Sequence, residues 1–248
     1  MTGHDEVQRI YDGLWSGAVG RLARGEVEID RHLADIEADR RFGITLIVRP
    51  SPEVAGHFIE FQGQMRELEP EQYFYAPGDF HVTVLTLVRA AEGFDLGKVP
   101  IGVYDQVLRG LFPRFHPFHI RFHGISATAE SVLVQGYVED DDLNAIRDAV
   151  RRELAGVNLA HLLDVRYRVG AAHSTVMRYR APLRDPARLL AVLSAARDRA
   201  FGISPVDTIC FVVNDWYMSQ WRLKVLAEYP LSRRVHFPFG GEARLMSF

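Results

Sequence analysis

The chain has 248 residues, of which 48% are hydrophobic and 25% charged, and its formal net charge is −3. That balance suits a soluble globular protein of one large domain or two small lobes. It argues against a broad basic face for long duplex nucleic acid, yet leaves room for a local arginine cluster around a small anion. One cysteine, Cys210, excludes an internal disulfide and a cysteine-based zinc site; in the run Thr208-Ile209-Cys210-Phe211 it reads as an inert core thiol. The only lysines are Lys98 and Lys224. Arginine suits phosphate better, although a genomic codon bias accounts for the set as a whole. The polar, charged start lacks a signal-peptide pattern and no apolar run reaches the length of a membrane span. A cytoplasmic setting without a membrane partner is expected.

In chain order, residues 5–41 read as two helices broken near Gly25, with Val7, Ile10, Tyr11 and Leu14, then Leu33 and Ile36, at helical spacing. They form an expected N-terminal helical arm over 1–42. The β-prone run Ile44-Thr45-Leu46-Ile47-Val48-Arg49 follows, stopped by Pro50. Ser51 and Pro52 then open a helix whose apolar stripe is Val54, Phe58, Phe61 and Met65. After a Pro- and Tyr-rich connection over 70–79 come a strand over 80–89 and a helix over 100–112. Segments 118–126 and 131–138 read as a hairpin. Asp140-Asp141-Asp142 places acids at the positive end of a helix running to about Leu154. A strand over 172–179, a helix over 186–201 and strands over 208–213 and 223–231 complete the pattern. The fold class is α+β, with about seven strands in mixed or antiparallel sheets and helices outside them.

Within this pattern one tetrapeptide occurs twice. His81-Val82-Thr83-Val84 and His173-Ser174-Thr175-Val176 both read His-x-Thr-Val, in opposite halves of the chain. Residues i and i+2 of a strand share a face, so each motif sets an imidazole beside a hydroxyl. One such strand is most simply read as a buried histidine bonded to a neighbouring threonine. Two matched copies instead imply a pseudo-repeated, two-lobed layout facing one central cleft. Two imidazoles and two hydroxyls supply an acid, a base and two neutral donors, enough to cleave a phosphodiester without a metal or cofactor.

With these motifs the chain resembles the 2H phosphoesterase superfamily, which includes RNA 2′-5′ ligase-like and cyclic phosphodiesterase-like proteins and is defined by two His-x-Thr/Ser motifs. The flanks agree: the strand over 43–50, the approach Tyr75-Ala76-Pro77-Gly78-Asp79-Phe80, and the closing Lys224-Val225-Leu226-Ala227-Glu228-Tyr229-Pro230-Leu231. The resemblance covers 43–232, the expected domain of two pseudo-repeated lobes, and leaves the arm and a C-terminal extension over 233–248 outside it. It implies a metal-independent hydrolase, a phosphodiesterase for a 2′,3′-cyclic phosphate or a 2′-5′-linked nucleotide or oligonucleotide, with RNA ligation as the reverse reaction. The partner would be a small nucleotide or an RNA end.

In that reading His81 and His173 are the base and acid, in either order, while Thr83 and Thr175 hold the non-bridging oxygens. Regular strand alternation would put Tyr179 on the face of His173 and Arg178 on the opposite one, so Tyr179 is the expected contact and Arg178 is not. Tyr73, Tyr75, Trp216 and Tyr217 are candidates to stack on a base, and each reads equally well as packing. The cluster His116-Pro117-Phe118-His119-Ile120-Arg121-Phe122-His123 hints at a metal. However, Arg121 falls between two of its histidines on one face and no acid lies near, so no metal site is expected. A second function class stays open: a nucleotide- or RNA-end-binding regulatory module that uses the same cleft without turnover.

Overall fold

The computed structural model describes residues 3–138, 142–159 and 171–232. Helix α1 spans Gly3–Ala23. The first half continues with β1 (Phe42–Val48), α2 (Pro52–Leu68), β2 (Tyr73–Phe74), β3 (Val82–Ala91) and α3 (Ile101–Leu111). The second half contains β4 (Phe118–Ala127), β5 (Ser131–Val138), α4 (Asp142–Gly156), β6 (Ser174–Arg178), α5 (Pro186–Ala195) and β7 (Ala200–Val206), and β8 (Thr208–Asp215) and β9 (Lys224–Pro230) follow. The strands form two antiparallel sheets, β3-β1-β8-β9 and β2-β6-β5-β4-β7. One continuous apolar cluster runs through both. Among the described residues no helix is long and apolar enough to cross a membrane.

The expected α+β class and antiparallel sheets are present, and several elements differ in detail. No second helix follows Gly25, which turns the chain at a φ of 71°. Beyond it the backbone spends its hydrogen bonds elsewhere: Glu28 N–H donates to the Ala129 carbonyl and Asp30 N–H to the Tyr179 carbonyl, so just one short 3-10 turn forms, Arg31–Ala34. The helix expected to reach residue 201 ends at Ala195, and residues 200–206 form β7 on an open edge, where Pro205 forfeits no inner ladder bond. Asp140 and Asp141 of the expected acidic helix start, and the C-terminal extension, lie outside the described residues.

Local chemistry explains how α2 carries the first motif. The Ser51 side chain accepts from Val54 N–H, Pro52 occupies the first turn, and Val54, Phe58, Phe61 and Met65 are all buried. Phe58 meets Phe80 edge-on with ring centres 5.2 Å apart, and meets Phe122 at the same distance. Phe80 immediately precedes His81, so this packing fixes where the first imidazole emerges. On the second motif the corresponding constraint comes from α1 and β5. Tyr11 is fully buried; its hydroxyl donates to the Gly136 carbonyl at 3.0 Å and accepts from Gly136 N–H at 3.1 Å. A Cβ on Gly136 would lie 1.8 Å from the carbonyl oxygen of Ala172, the residue before His173.

These contacts predict opposite outcomes for two glycines. Gly136→Ala should cost about 2 kcal/mol or more, because backbone must move. Gly56→Ala, in α2 with nothing within 4 Å of the added carbon, should stabilise by about 0.5–1 kcal/mol. Urea unfolding of the two variants checks both signs.

Candidate active site

His81 and His173 each sit directly before a strand, at the entrances of β3 and β6. The residue pairing then departs from a regular ladder in the same way in both halves. On β3, Leu85 lies opposite Leu46 and Thr83 opposite Ile47, so Val84 is an extra, unpaired residue. On β6, Met177 lies opposite Val132 and Thr175 opposite Leu133, so Val176 is the extra one. The valine of each His-x-Thr-Val motif is therefore a β-bulge. Each bulge lets two consecutive side chains enter the core, Val84 with Leu85 and Val176 with Met177. Directly beyond it the pattern of faces is inverted, and on β3 further register shifts follow between Thr86 and Val88 and between Val88 and Ala91. The fifth residue after each histidine thus returns to the cleft: Thr86 in one half and Arg178 in the other.

This inversion corrects the face assignment at the second motif. Arg178 lines the cleft, where its Nε donates to the Tyr75 hydroxyl at 2.9 Å and its guanidinium stands 3.8 Å from Glu130. Tyr179 turns into the core, fully buried, and does not line the cleft. Burial raises its hydroxyl pKa, with the Glu69 charge adding to the effect.

Polar side chains from the two helices hold the bulges. Arg147 of α4, 1% exposed, donates from Nε to the Val84 carbonyl at 2.8 Å and from one Nη to the carbonyls of Thr83 at 3.0 Å and Ala171 at 2.9 Å. Burial lowers its pKa to about 10, so it stays charged at neutral pH. Gln62 of α2, equally buried, donates from Nε2 to the Val176 carbonyl at 2.7 Å and the Tyr75 carbonyl at 2.9 Å. Each helix precedes one motif strand in sequence and bonds the bulge of the other. The two halves are braced crosswise at the points where the motifs bend.

The cleft encloses about 350 Å³, and His81, Thr83, His173, Thr175 and Tyr75 all line it, together with Thr45, Thr86, Arg178, Asn214, Trp216 and Met218. Tyr217 does not reach it. Its ring is buried and its hydroxyl donates to Asp30 at 2.8 Å while accepting from Arg41 at 3.0 Å. Its neighbours Trp216 and Met218 line the cleft instead, Trp216 backed by the Arg41 guanidinium 4.5 Å from the ring centre. Tyr73 packs edge-on against Tyr75, with ring centres 5.2 Å apart. In the 116–123 segment His116 Nδ1 bonds the Ser232 carbonyl at 2.8 Å and His119 is exposed. Among the described residues no group of three or more His, Cys, Asp or Glu is placed to hold a metal.

The two imidazoles differ in their partners. His81 Nδ1 donates to the Asp79 carbonyl at 2.8 Å. A carbonyl only accepts, so the neutral ring keeps its lone pair on Nε2. Both rings are partly open to the cleft yet packed closely enough to lose much of their hydration, which pushes each down to about 4. Nearby positive charge contributes as well: Arg49 and Arg178 at His81, and His81, Arg147 and Arg178 at His173. At neutral pH the cleft of the free protein therefore holds two neutral imidazoles beside a guanidinium.

Arg147, Gln62 and the bulges were invisible to pattern reading. The one available signal was that the shared spacing extends past the tetrapeptide, to a polar residue at the fifth position after each histidine.

No protein-family model matches the chain, and no curated protein matches it. Its structure is similar to that of TT0787 from Thermus thermophilus, with a TM-score of 0.57 at 16% identity over 76% of this chain and 97% of that one. A phosphoesterase structure matches with a TM-score of 0.51 at 12% identity, over 77% of this chain and 99% of its own. E. coli LigT complexed with 3′-AMP matches with a TM-score of 0.53 at 11% identity, over 78% and 99%. The likeness is one of fold: this chain has the architecture of the LigT-like 2H phosphoesterases, the superfamily its two motifs resemble.

Two outcomes follow from the site's construction. Arg147→Met leaves three main-chain carbonyls short of a donor and should cost about 2–4 kcal/mol in urea unfolding. The second concerns acid. Each imidazole has a folded value near 4 against an ordinary 6.5. The unfolded chain therefore takes up these protons first as pH falls, so stability is full above 6.5 and is lost between 6.5 and 4. His81→Asn/His173→Asn should flatten that part of the stability–pH curve.

Proposed function

We propose that this chain is a metal-independent phosphodiesterase of the 2H type that hydrolyses a 2′,3′-cyclic phosphate or a 2′-5′-linked nucleotide or oligonucleotide. The observation that carries the reading is the convergence of both His-x-Thr motifs on one cleft. The fold likeness to LigT, whose structure was solved with 3′-AMP, supports a small nucleotide or RNA end as the ligand.

The chemistry follows from the side chains. The phosphorus sits between the two imidazoles. Water attacks it in line, and the bond to one ribose oxygen breaks. One imidazole removes the water proton and the other delivers a proton to the departing oxygen. His81, with its lone pair fixed on Nε2, is ready as the base in its neutral form. His173 must then arrive protonated. The charge of the bound phosphodiester supplies the means, since an anion against the rings raises both pKa values. Repulsion between the rings keeps the pair at a single proton. Thr83 and Thr175 donate to the non-bridging oxygens, and Arg178 offsets the charge that builds on them. The reverse reaction would exchange the two histidines' roles.

His81→Ala and His173→Ala should each lower turnover of a 2′,3′-cyclic nucleotide by about 10²–10⁴-fold, and EDTA should leave the wild type unaffected. Wild-type-like turnover in either variant contradicts the mechanism. Loss of activity in EDTA would redirect attention to the histidines of 116–123. A folded wild type that binds nucleotides but hydrolyses none would be a binding module. The pH profiles provide a further check. The kcat/KM profile reports the free protein and kcat the complex, so the kcat profile should lie at higher pH. Superimposed profiles would show that the substrate's charge does not set the protonation state.

A further inference from the structure

Two arginines in the cleft have no part in the reaction just described. Arg89, near the end of β3, is exposed and has no hydrogen bond or ion pair among the described residues. Arg151 stands one helical turn beyond Arg147 on α4, and its partner Asp148, 2.9 Å away, lies outside the cleft lining with a side chain 63% exposed. With Arg178, the cleft wall presents three guanidiniums, and the carboxylate lining it among the described residues is that of Glu130. A cyclic phosphodiester carries one negative charge, which Arg178 and an imidazolium already meet. The remaining positive charge has no counterpart in that ligand.

Strand register shows where Arg89 lies. Thr83 is opposite Ile47, whereas Arg89 falls between Val88, opposite Ile44, and Ala91, opposite Phe42. The separation is about four residues of β1, or roughly 13 Å between backbones at the rise of an extended strand. Trp216 belongs to the same end, because it follows Asp215, which also pairs with Phe42. Between the two ends lie Thr45 and Thr86, opposite each other, with Asn214 at the far end opposite Gly43. Along the cleft the order is therefore a phosphate position between the histidines, a stretch of hydrogen-bonding side chains, then an indole and a cation. A sugar and base fit the middle, and an anion fits the far end.

We propose that the substrate carries a second phosphate about one nucleotide unit from the reacting one, held by Arg89 and Arg151. This rests on the nucleotide reading of the cleft and narrows its substrate class. The second phosphate is either a terminal 5′-phosphate or the next phosphodiester of an oligonucleotide, and both present the same oxygens to a guanidinium fork.

The experiment measures binding by calorimetry at fixed ionic strength. The ligands are 3′-AMP, adenosine 3′,5′-bisphosphate and the dinucleotide ApAp, each also as its 2′-phosphate isomer. Wild type should bind at least one two-phosphate ligand about tenfold or more tightly than the mononucleotide, the effect of a single charge-assisted contact. Arg89→Ala/Arg151→Ala should abolish that ratio. Preference for the bisphosphate alone assigns a terminal phosphate, and preference for ApAp alone or for both assigns an oligonucleotide path. Equal affinities, or a preference that survives the double substitution, overturn the proposal. Turnover of 2′,3′-cyclic AMP by the wild type reports separately on the hydrolase reading. An Arg-dependent preference without turnover would leave the second-phosphate site standing while the hydrolase reading fell.

Discussion

The two β-bulges at Val84 and Val176 are the constraint on which the site depends. A regular strand would return every second residue to the cleft, presenting His173, Thr175 and Tyr179 while sending Arg178 away. The one extra residue in β6 turns a neutral, partly apolar wall into one that carries a guanidinium. Bulges leave main-chain groups outside the ladder, and buried carbonyls need donors. Arg147 and Gln62 supply them. Because each comes from the helix of the opposite half, satisfying the bulges also ties the halves together. The same few hydrogen bonds thus serve the geometry of the cleft and a polar tie between its halves.

The segment after α1 adds a second tie at one end of this frame. It runs as extended chain, bonded to the carbonyls of Ala129 and Tyr179 on the five-stranded sheet. Asp30 then accepts from the Tyr217 hydroxyl, and Arg41 lies over Trp216 on the turn that follows β8. Arg222 of the same turn donates back to the carbonyls of Ile36 and Asp39. Trp216 is therefore not a loose surface indole. It is held against the cleft by the N-terminal part of the chain, which also buries Tyr11 beneath the approach to His173.

Much of this was legible in the residues. The capped, striped helix at Pro52–Leu68, the hairpin of β4 and β5 and the paired histidines and threonines all follow from short-range periodicity. Reading stopped where long-range partners override local pattern. Residues 26–41 look helical by spacing, but their backbone bonds go to the edge of the five-stranded sheet and to the Arg222 side chain. Residues 200–206 carry Gly202 and Pro205, poor strand formers, and still pair because β4 offers an edge. Tyr179 and Arg178 exchange faces because of a bulge whose carbonyl is bonded by a glutamine more than a hundred residues earlier. No periodicity in the strand itself records that contact. Arg147 illustrates the same limit: in sequence it is one arginine of a polar helix face, and its role is visible only once the two motif strands stand beside it.

Electrostatically, a chain of net charge −3 keeps a cleft of imidazoles held neutral by burial and of arginines, and in the proposed mechanism such a site gains its working proton when an anion enters. The most direct test is an NMR titration of the His81 and His173 side chains, assigned with the single His→Asn variants, in the free protein and with saturating 3′-AMP. Both rings should titrate well below 6.5 in the free protein, and at least one should rise when the nucleotide binds, with the other responding to it. Two independent titrations near 6.5, unchanged by nucleotide, would contradict the claim that the two motifs form one anion-gated acid–base pair.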